Sequence, residues 1–259
     1  MSDTGSFPIV AVDIGNSSIK AGLFAGSSQG SPRDPVAKFE WRPDELARIE
    51  SDVSLPHPAV PWYVSSVNRP SATTLQQIIG RKWPSAEFVL LSHTDVPLTI
   101  DVAHPERVGM DRLVAAVAVA RLKDVERSAI VIDAGSAITV DMISRNGTFQ
   151  GGVIVPGLQM ASAALCRETD QLPLVFADPS NPPPVIGKST EGAITSGLYW
   201  GTVGGLIFLI ERMSAETDSP PQLFITGGDA LQLAPQITER ARLVPDLVLT
   251  GIALIAVAQ

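Results

Sequence analysis

A chain of 259 residues, 45% hydrophobic and 18% charged with 5% aromatics, buries about 73% of its unfolded surface on folding, which excludes a disordered or low-complexity protein and points to a core of Val, Ile, Leu and Ala. Nineteen Lys and Arg against 27 Asp and Glu give a net charge of −8, and the absence of any basic run argues against nucleic-acid binding. One cysteine, Cys166, and three histidines exclude an internal disulfide and a thiolate zinc site. The first residues, MSDTGSFPIV, lack the basic start and long apolar stretch of a signal peptide. The most apolar later run, around Leu206 to Ile210, reads as too short and glycine-broken to span a bilayer. The expectation is a cytoplasmic protein that does not enter membranes.

In chain order, PIVAVDIGNSSIKAGLF predicts a strand, a tight turn at Asp13, Gly15 and Asn16, and a second strand. PWYVSSV reads as a strand, SATTLQQIIGRKW as a short amphipathic helix and EFVLLS as another strand. HPERVGMDRLVAAVAVARL opens a helix whose apolar positions Leu113, Val114, Val117 and Ala120 recur at near-helical spacing. AIVIDAGSAITVDMI then repeats the strand, turn and strand, with Asp133, Gly135 and Ser136 at its bend, 133 − 13 = 120 residues after Asp13. QGGVIVPGL adds a third strand. LQMASAALCRETDQL predicts a helix, residues Asn181 to Pro184 a proline-rich connection, and Thr190 to about Met213 a long helix. LFITGGDA is a strand ending in a glycine turn, QLAPQITERA a short helix, DLVLTG a last strand running into a turn, and IALIAVA a terminal helix. The repeated pattern predicts an α/β protein of two similar lobes, residues 1–122 and 123–259.

The turn DIGNSSIK has the composition of a phosphate cradle. Gly15 permits a tight bend, and the backbone amides with the hydroxyls of Ser17 and Ser18 can donate to phosphate oxygens. Asp13 can hold magnesium through water, and Lys20 adds positive charge. Taken alone, the segment is equally well a β-hairpin with a polar tip. The second bend, DAGSAIT, and the TGGD sequence at Thr226 to Asp229, where an adenosine could lie on bare backbone, make three glycine turns at strand ends. No GxxxxGK[ST] and no GxGxxG at a strand-to-helix junction occurs, so a nucleotide site here is built from hairpins rather than a P-loop or Rossmann turn.

At the predicted helix start, Gly109, Met110, Asp111 and Arg112 occupy an end that attracts anions. Arg112 can bind a carboxylate and Asp111 can accept a hydroxyl proton. In isolation such a pair is more commonly a helix-dipole partner and a solvated charge. Ser189 and Thr190 likewise suit an ordinary N-cap. Five glycines in the long helix, Gly192, Gly197, Gly201, Gly204 and Gly205, each cost roughly 1 kcal/mol of helix propensity against Ala, which a close packing surface would offset.

DIGNSSIK, VSSV at 64–67, GMDR at 109–112, DAGSAIT, GGVIVPGL, STEGAITSG and TGGD occur in an order that resembles the type III pantothenate kinases nearly end to end. The resemblance implies two ribonuclease-H-like lobes of the acetate and sugar kinase, chaperone and actin superfamily, with mixed five-stranded sheets flanked by helices, closing on ATP. It implies phosphorylation of pantothenate in the first step of coenzyme A synthesis, with magnesium and a monovalent cation, potassium or ammonium. The stretch Asp13, Ile14, Gly15, Asn16, Ser17, Ser18, Ile19 and Lys20 corresponds to the ATP-phosphate loop, and Ser136 stands where an ATP-contacting threonine is usual. Asp111 matches the general base, Gly109, Met110, Asp111 and Arg112 the pantothenate contacts, and Thr190 a substrate-binding threonine. Asp133 matches the monovalent-cation ligand. Val102 stands where many members carry a pantothenate-contacting tyrosine. Family members are commonly homodimers, in agreement with the glycine-rich helix. The alternatives are a non-catalytic relative that binds nucleotide or pantothenate, and another small-molecule kinase of the superfamily.

Overall fold

The computed structural model describes residues 8–25, 34–51, 60–176 and 181–259. The first seven residues, on which the absence of a leader was read, lie outside the described residues. The chain forms two compact units, Met1–Leu122 with Asp246–Gln259, and Lys123–Pro245.

The first unit contains β1 (Ile9–Ile14), β2 (Ile19–Phe24), β3 (Ala37–Trp41), the single-turn α1 (Arg48–Ser51), β4 (Trp62–Ser66), α2 (Arg69–Lys82), β5 (Phe88–Leu90) and α3 (Met110–Leu122). In the second unit β6 (Ala129–Ala134), β7 (Ala137–Ile143), β8 (Phe149–Pro156), α4 (Leu158–Glu168), α5 (Thr190–Ser214), β9 (Gln222–Thr226), α6 (Ala230–Ile237) and β10 (Arg242–Leu243) follow. The last helix is α7 (Leu247–Ala258). Each unit has one five-stranded mixed sheet, ordered β3-β2-β1-β4-β5 in the first and β10-β9-β6-β7-β8 in the second. The two orders are the same topology. In each, an antiparallel hairpin supplies the first two strands and a parallel partner, β4 beside β1 or β9 beside β6, flanks its first strand.

Both faces of β1 are covered, which explains its nearly continuous apolar sequence. Val10, Val12 and Ile14 pack with Trp62, Val64 and the α2 residues Leu75, Ile78 and Ile79. Helix α2 starts where Asn68 accepts the Ser71 N–H at 3.2 Å, with proline tolerated in the first turn. On the opposite sheet face lie α3 and α7, which contact β4 and each other. Helix α3 buries Met110 and every residue from Leu113 to Val119. It is therefore apolar almost all round.

Three expectations need correction. DLVLTG is not a strand: the strand is β10, and Leu247 already begins α7. The Asp246 carbonyl accepts both the N–H and the hydroxyl of Thr250 at 2.9 Å, and Leu247, Val248, Leu249, Ile252 and Ile255 are buried in the first unit. Tertiary packing overrides the strand preference of the branched residues. Consequently residues 246–259 belong with the first unit, not with the lobe 123–259. Finally, the glycines do not break α5. It is one 25-residue helix, long and apolar enough by length and composition to cross a membrane. Its Tyr199, Val203 and Leu206 are built into the core of the second unit with Ile130, Ile132 and Leu233. A Cβ added at Gly197, Gly201, Gly204 or Gly205 would meet open space.

Candidate active site

In the first unit the DIGNSSIK segment closes as a hairpin. The Gly15 N–H donates to the Ser18 carbonyl at 3.0 Å, and Ile14 pairs with Ile19. Asn16 and Ser17 are exposed, whereas Gly15, Ser18, Asp13 and Lys20 are half-buried. The side chains of Ile14 and Ile19 are fully buried in the core, so only their backbone groups are available to a ligand. Asp13 and Lys20 are register partners across the hairpin, and Asp13 is also aligned with Ser65 on β4. Since side chains alternate along strands, these three share the sheet face opposite Val12 and Val64, the face that carries α3 and α7.

Helix α3 brings its amino end to this place through Val67. The Val67 N–H donates to the Ile14 carbonyl at 3.0 Å, and its Cγ1 lies 3.6 Å from where a Gly109 side chain would begin. The Gly109 carbonyl starts the helix by accepting the Arg112 and Leu113 N–H groups at 3.1 and 3.3 Å. Asp111 folds back over the helix tip, where its Oδ1 accepts the Arg112 N–H at 2.8 Å. A Cβ at Gly109 would collide with that carboxylate oxygen. Gly109 thus leaves the room in which Asp111 sits. Met110 is buried, and Gly109, Asp111 and Arg112 are half-buried. Val102 is half-buried in the loop before the short turn Pro105–Arg107.

Sequence reasoning did not assign a role to Ser65. It is fully buried, and its hydroxyl has no hydrogen-bond partner among the described residues. A polar atom left this way costs about 1–3 kcal/mol. Two serines at the end of an apolar strand were the available signal. Ser66 is spent on the turn, its Oγ accepting the Asn68 N–H at 3.0 Å.

The second unit repeats the arrangement. Asp133 ends β6 in register with Thr139 and Thr226, as Asp13 ends β1 in register with Lys20 and Ser65. Ser136 is exposed on the bend, whose Gly135 N–H donates to Ala137 at 3.2 Å and whose Ser136 carbonyl accepts the Gly157 N–H at 3.0 Å. After β9, Gly227 has φ +98°, and a Cβ there would overlap the Ala134 backbone. Both the dihedral and the close approach require glycine. The Asp229 N–H donates to the Ala134 carbonyl at 2.9 Å, which locks the TGGD turn onto the end of β6. Thr190 is exposed as the first residue of α5, after Ser189, which caps the helix by accepting the Gly192 N–H at 3.1 Å. The Glu191 carboxyl is held below its usual range by the helix-end backbone and the Ser189 hydroxyl.

Burial pushes the Asp229 carboxyl above its usual range, partly opposed by the Gln232 side-chain amide, which donates to it at 2.9 Å. A raised folded-state pKa means that this group costs no stability below the ordinary Asp value and destabilises as pH rises through its raised one. Asp229→Asn keeps the acceptor for Gln232. It should therefore melt higher than the parent at pH 7, with the difference vanishing below about pH 4; thermal melts across pH 3–8 check this, and equal melting at pH 7 would remove the burial argument.

The family model for type III pantothenate kinases matches residues 9–214. This chain belongs to the type III pantothenate kinase family. The type III pantothenate kinase of Chlorobaculum parvum is 30% identical over 97% of this chain and 95% of its own. That of Syntrophotalea carbinolica is 31% identical over 95% and 97%. Among solved structures, the ethanolamine utilization protein EutJ from Carboxydothermus hydrogenoformans covers 98% of this chain and 92% of its own with a TM-score of 0.51 at 13% identity. That similarity concerns the fold alone. What the two share is the arrangement described above, two mixed five-stranded sheets with flanking helices.

Proposed function

We infer that this member of the type III pantothenate kinase family transfers the γ-phosphoryl group of ATP to the primary alcohol of pantothenate, giving 4'-phosphopantothenate and ADP, the step that opens coenzyme A biosynthesis. Beyond the family match, the reading is carried by one observation: Asp111 is folded over Gly109 at the helix tip, and Val67 joins that tip to the Asp13 hairpin. Asp111 takes the proton of the alcohol as its oxygen bonds to the γ-phosphorus and the bond to the ADP oxygen breaks. The turn amides of Gly15 to Ser18 and the Lys20 charge hold the phosphates. Arg112 and the α3 tip hold the pantothenate carboxylate, with Val102 and Thr190 as further substrate contacts. Ser136 contacts ATP from the second bend.

The kinase family implies ATP and a divalent metal. No group of three or more His, Cys, Asp or Glu side chains suited to a metal is found among the described residues. Magnesium is commonly held by one or two carboxylates with water and phosphate, and Asp13 beside the unpartnered Ser65 hydroxyl fits a hydrated ion. When bound, magnesium offsets the phosphate charge. Asp133 is the residue for a monovalent cation, potassium or ammonium. Coupled measurement of ADP formation tests the whole reading. We expect turnover only with pantothenate present, faster in potassium than in sodium; ADP release indifferent to pantothenate would sink it.

The protein is a cytoplasmic homodimer in this reading. The supporting feature is α5, apolar yet only 28% buried over its most apolar stretch, with four glycines facing open space and Phe208 exposed. A second copy of the same helix would cover it. Gly201→Leu finds room within one chain, so it should keep the melting temperature of the isolated fold while shifting the mass from dimer to monomer in light scattering. A parent protein that is monomeric at micromolar concentration would overturn the dimer.

A further inference from the structure

At the end of β9 remote from Gly227, the second unit contains a cavity of about 490 Å³ that the pantothenate kinase reading does not use. Its walls come from Arg127, the last turns of α5, the start of β9, the end of α6 and the approach to β10. The volume is that of a site for a small organic ligand.

The lining has an uneven charge. Arg127, Arg240 and Arg242 reach it against one carboxylate, Glu211, in a protein whose net charge is −8. None of the three guanidiniums has an ion-pair partner among the described residues. Two of them are held in place. Arg127 donates through Nε and Nη2 to the Pro220 carbonyl at 3.1 and 2.6 Å, and the Arg242 guanidinium lies over the Phe224 ring, 5.7 Å from its centre. Ile207, Ile210 and Ile237 supply an apolar wall. Guanidinium groups match the geometry of phosphate oxygens and stack on flat rings.

We propose that this cavity is a second ligand site, for an organic phosphate monoester carrying a flat apolar body. The phosphate lies among Arg127, Arg240 and Arg242, and the body lies against the half-buried Ile207, Ile210 and Ile237. A strand connects this site with the glycine turn. Phe224 pairs with Val131 on β6 and with Arg242 on β10, while Thr226, two residues further on, pairs with Asp133.

The probe is 1-naphthyl phosphate, titrated calorimetrically into the full chain with saturating magnesium-ATP so that the Asp13 hairpin is already filled. Saturable binding is expected, weakened by salt, with inorganic phosphate and 1-naphthol each binding far more weakly. Arg240→Gln with Arg242→Gln should weaken it by about tenfold or more. Glu211→Gln removes the opposing carboxylate and should tighten it severalfold, a gain that misfolding does not produce. No saturable binding to the parent, or an affinity indifferent to both variants, overturns the proposal. So does a signal abolished by magnesium-ATP, which would assign the naphthyl phosphate to the catalytic hairpins instead.

Discussion

Asp111→Asn should lower kcat by about 10²- to 10⁴-fold, the usual contribution of a positioned general base, while KM for ATP and the melting temperature change little. Asparagine keeps an oxygen in place to accept the Arg112 N–H now bound by Asp111 at 2.8 Å. What it loses is the capacity to take a proton and a negative charge at a helix amino end, the latter worth only about 0.3–1 kcal/mol. The catalytic and structural roles are thereby separated by magnitude. Steady-state kinetics with a thermal melt on the same sample decide between them. Turnover within a few-fold of the parent would mean that the carboxylate only caps α3.

Gly251→Ala should destabilise the protein by about 1–3 kcal/mol despite its better helix propensity. A Cβ at Gly251 of α7 would overlap the Val114 carbonyl of α3, and a backbone atom cannot rotate away as a side chain does. The helices must separate, and overpacking of this kind costs about 1–3 kcal/mol or more, against a return of up to about 1 kcal/mol from propensity. Gly80→Ala is the internal contrast. Gly80 lies exposed on α2 with nothing near a prospective Cβ, so there the propensity gain stands alone and the sign reverses. Denaturant titration of both variants checks the pair; equal effects would show that the α3–α7 approach is looser than described.

The hairpins were legible because the Asp-Gly bends interrupt apolar runs over a few residues, and the GMDR helix start because its apolar spacing is local. What the sequence concealed depends on distant partners. Leu247, Val248, Leu249 and Thr250 look like a strand until α3 lies beside them. Edge strand β3 was not anticipated, since Ala37–Trp41 alternates half-buried and exposed residues that carry little apolar signal. Ser65 gained its interest only from parallel pairing of β4 with β1, a register that links Asp13 to a residue 65 − 13 = 52 positions away. The long helix from Thr190 was legible despite its glycines, but its apolar run was wrongly read as too short and glycine-broken, because an apolar face anchored by Tyr199, Val203 and Leu206 outweighs a roughly 1 kcal/mol penalty at each.

The placement of α7 bears on how the polypeptide matures. Everything from Lys123 to Pro245 is interpolated into a unit whose closing helix, Leu247–Ala258, is translated only after it. With synthesis proceeding at about 5–20 residues per second, the host's five strands emerge first, yet the host stays unfinished until the whole interpolated unit has been made. Meanwhile the uniformly greasy flank of α3 waits for its cover. Newborn chains truncated before Asp246 would then be the species most prone to clump or to engage chaperones.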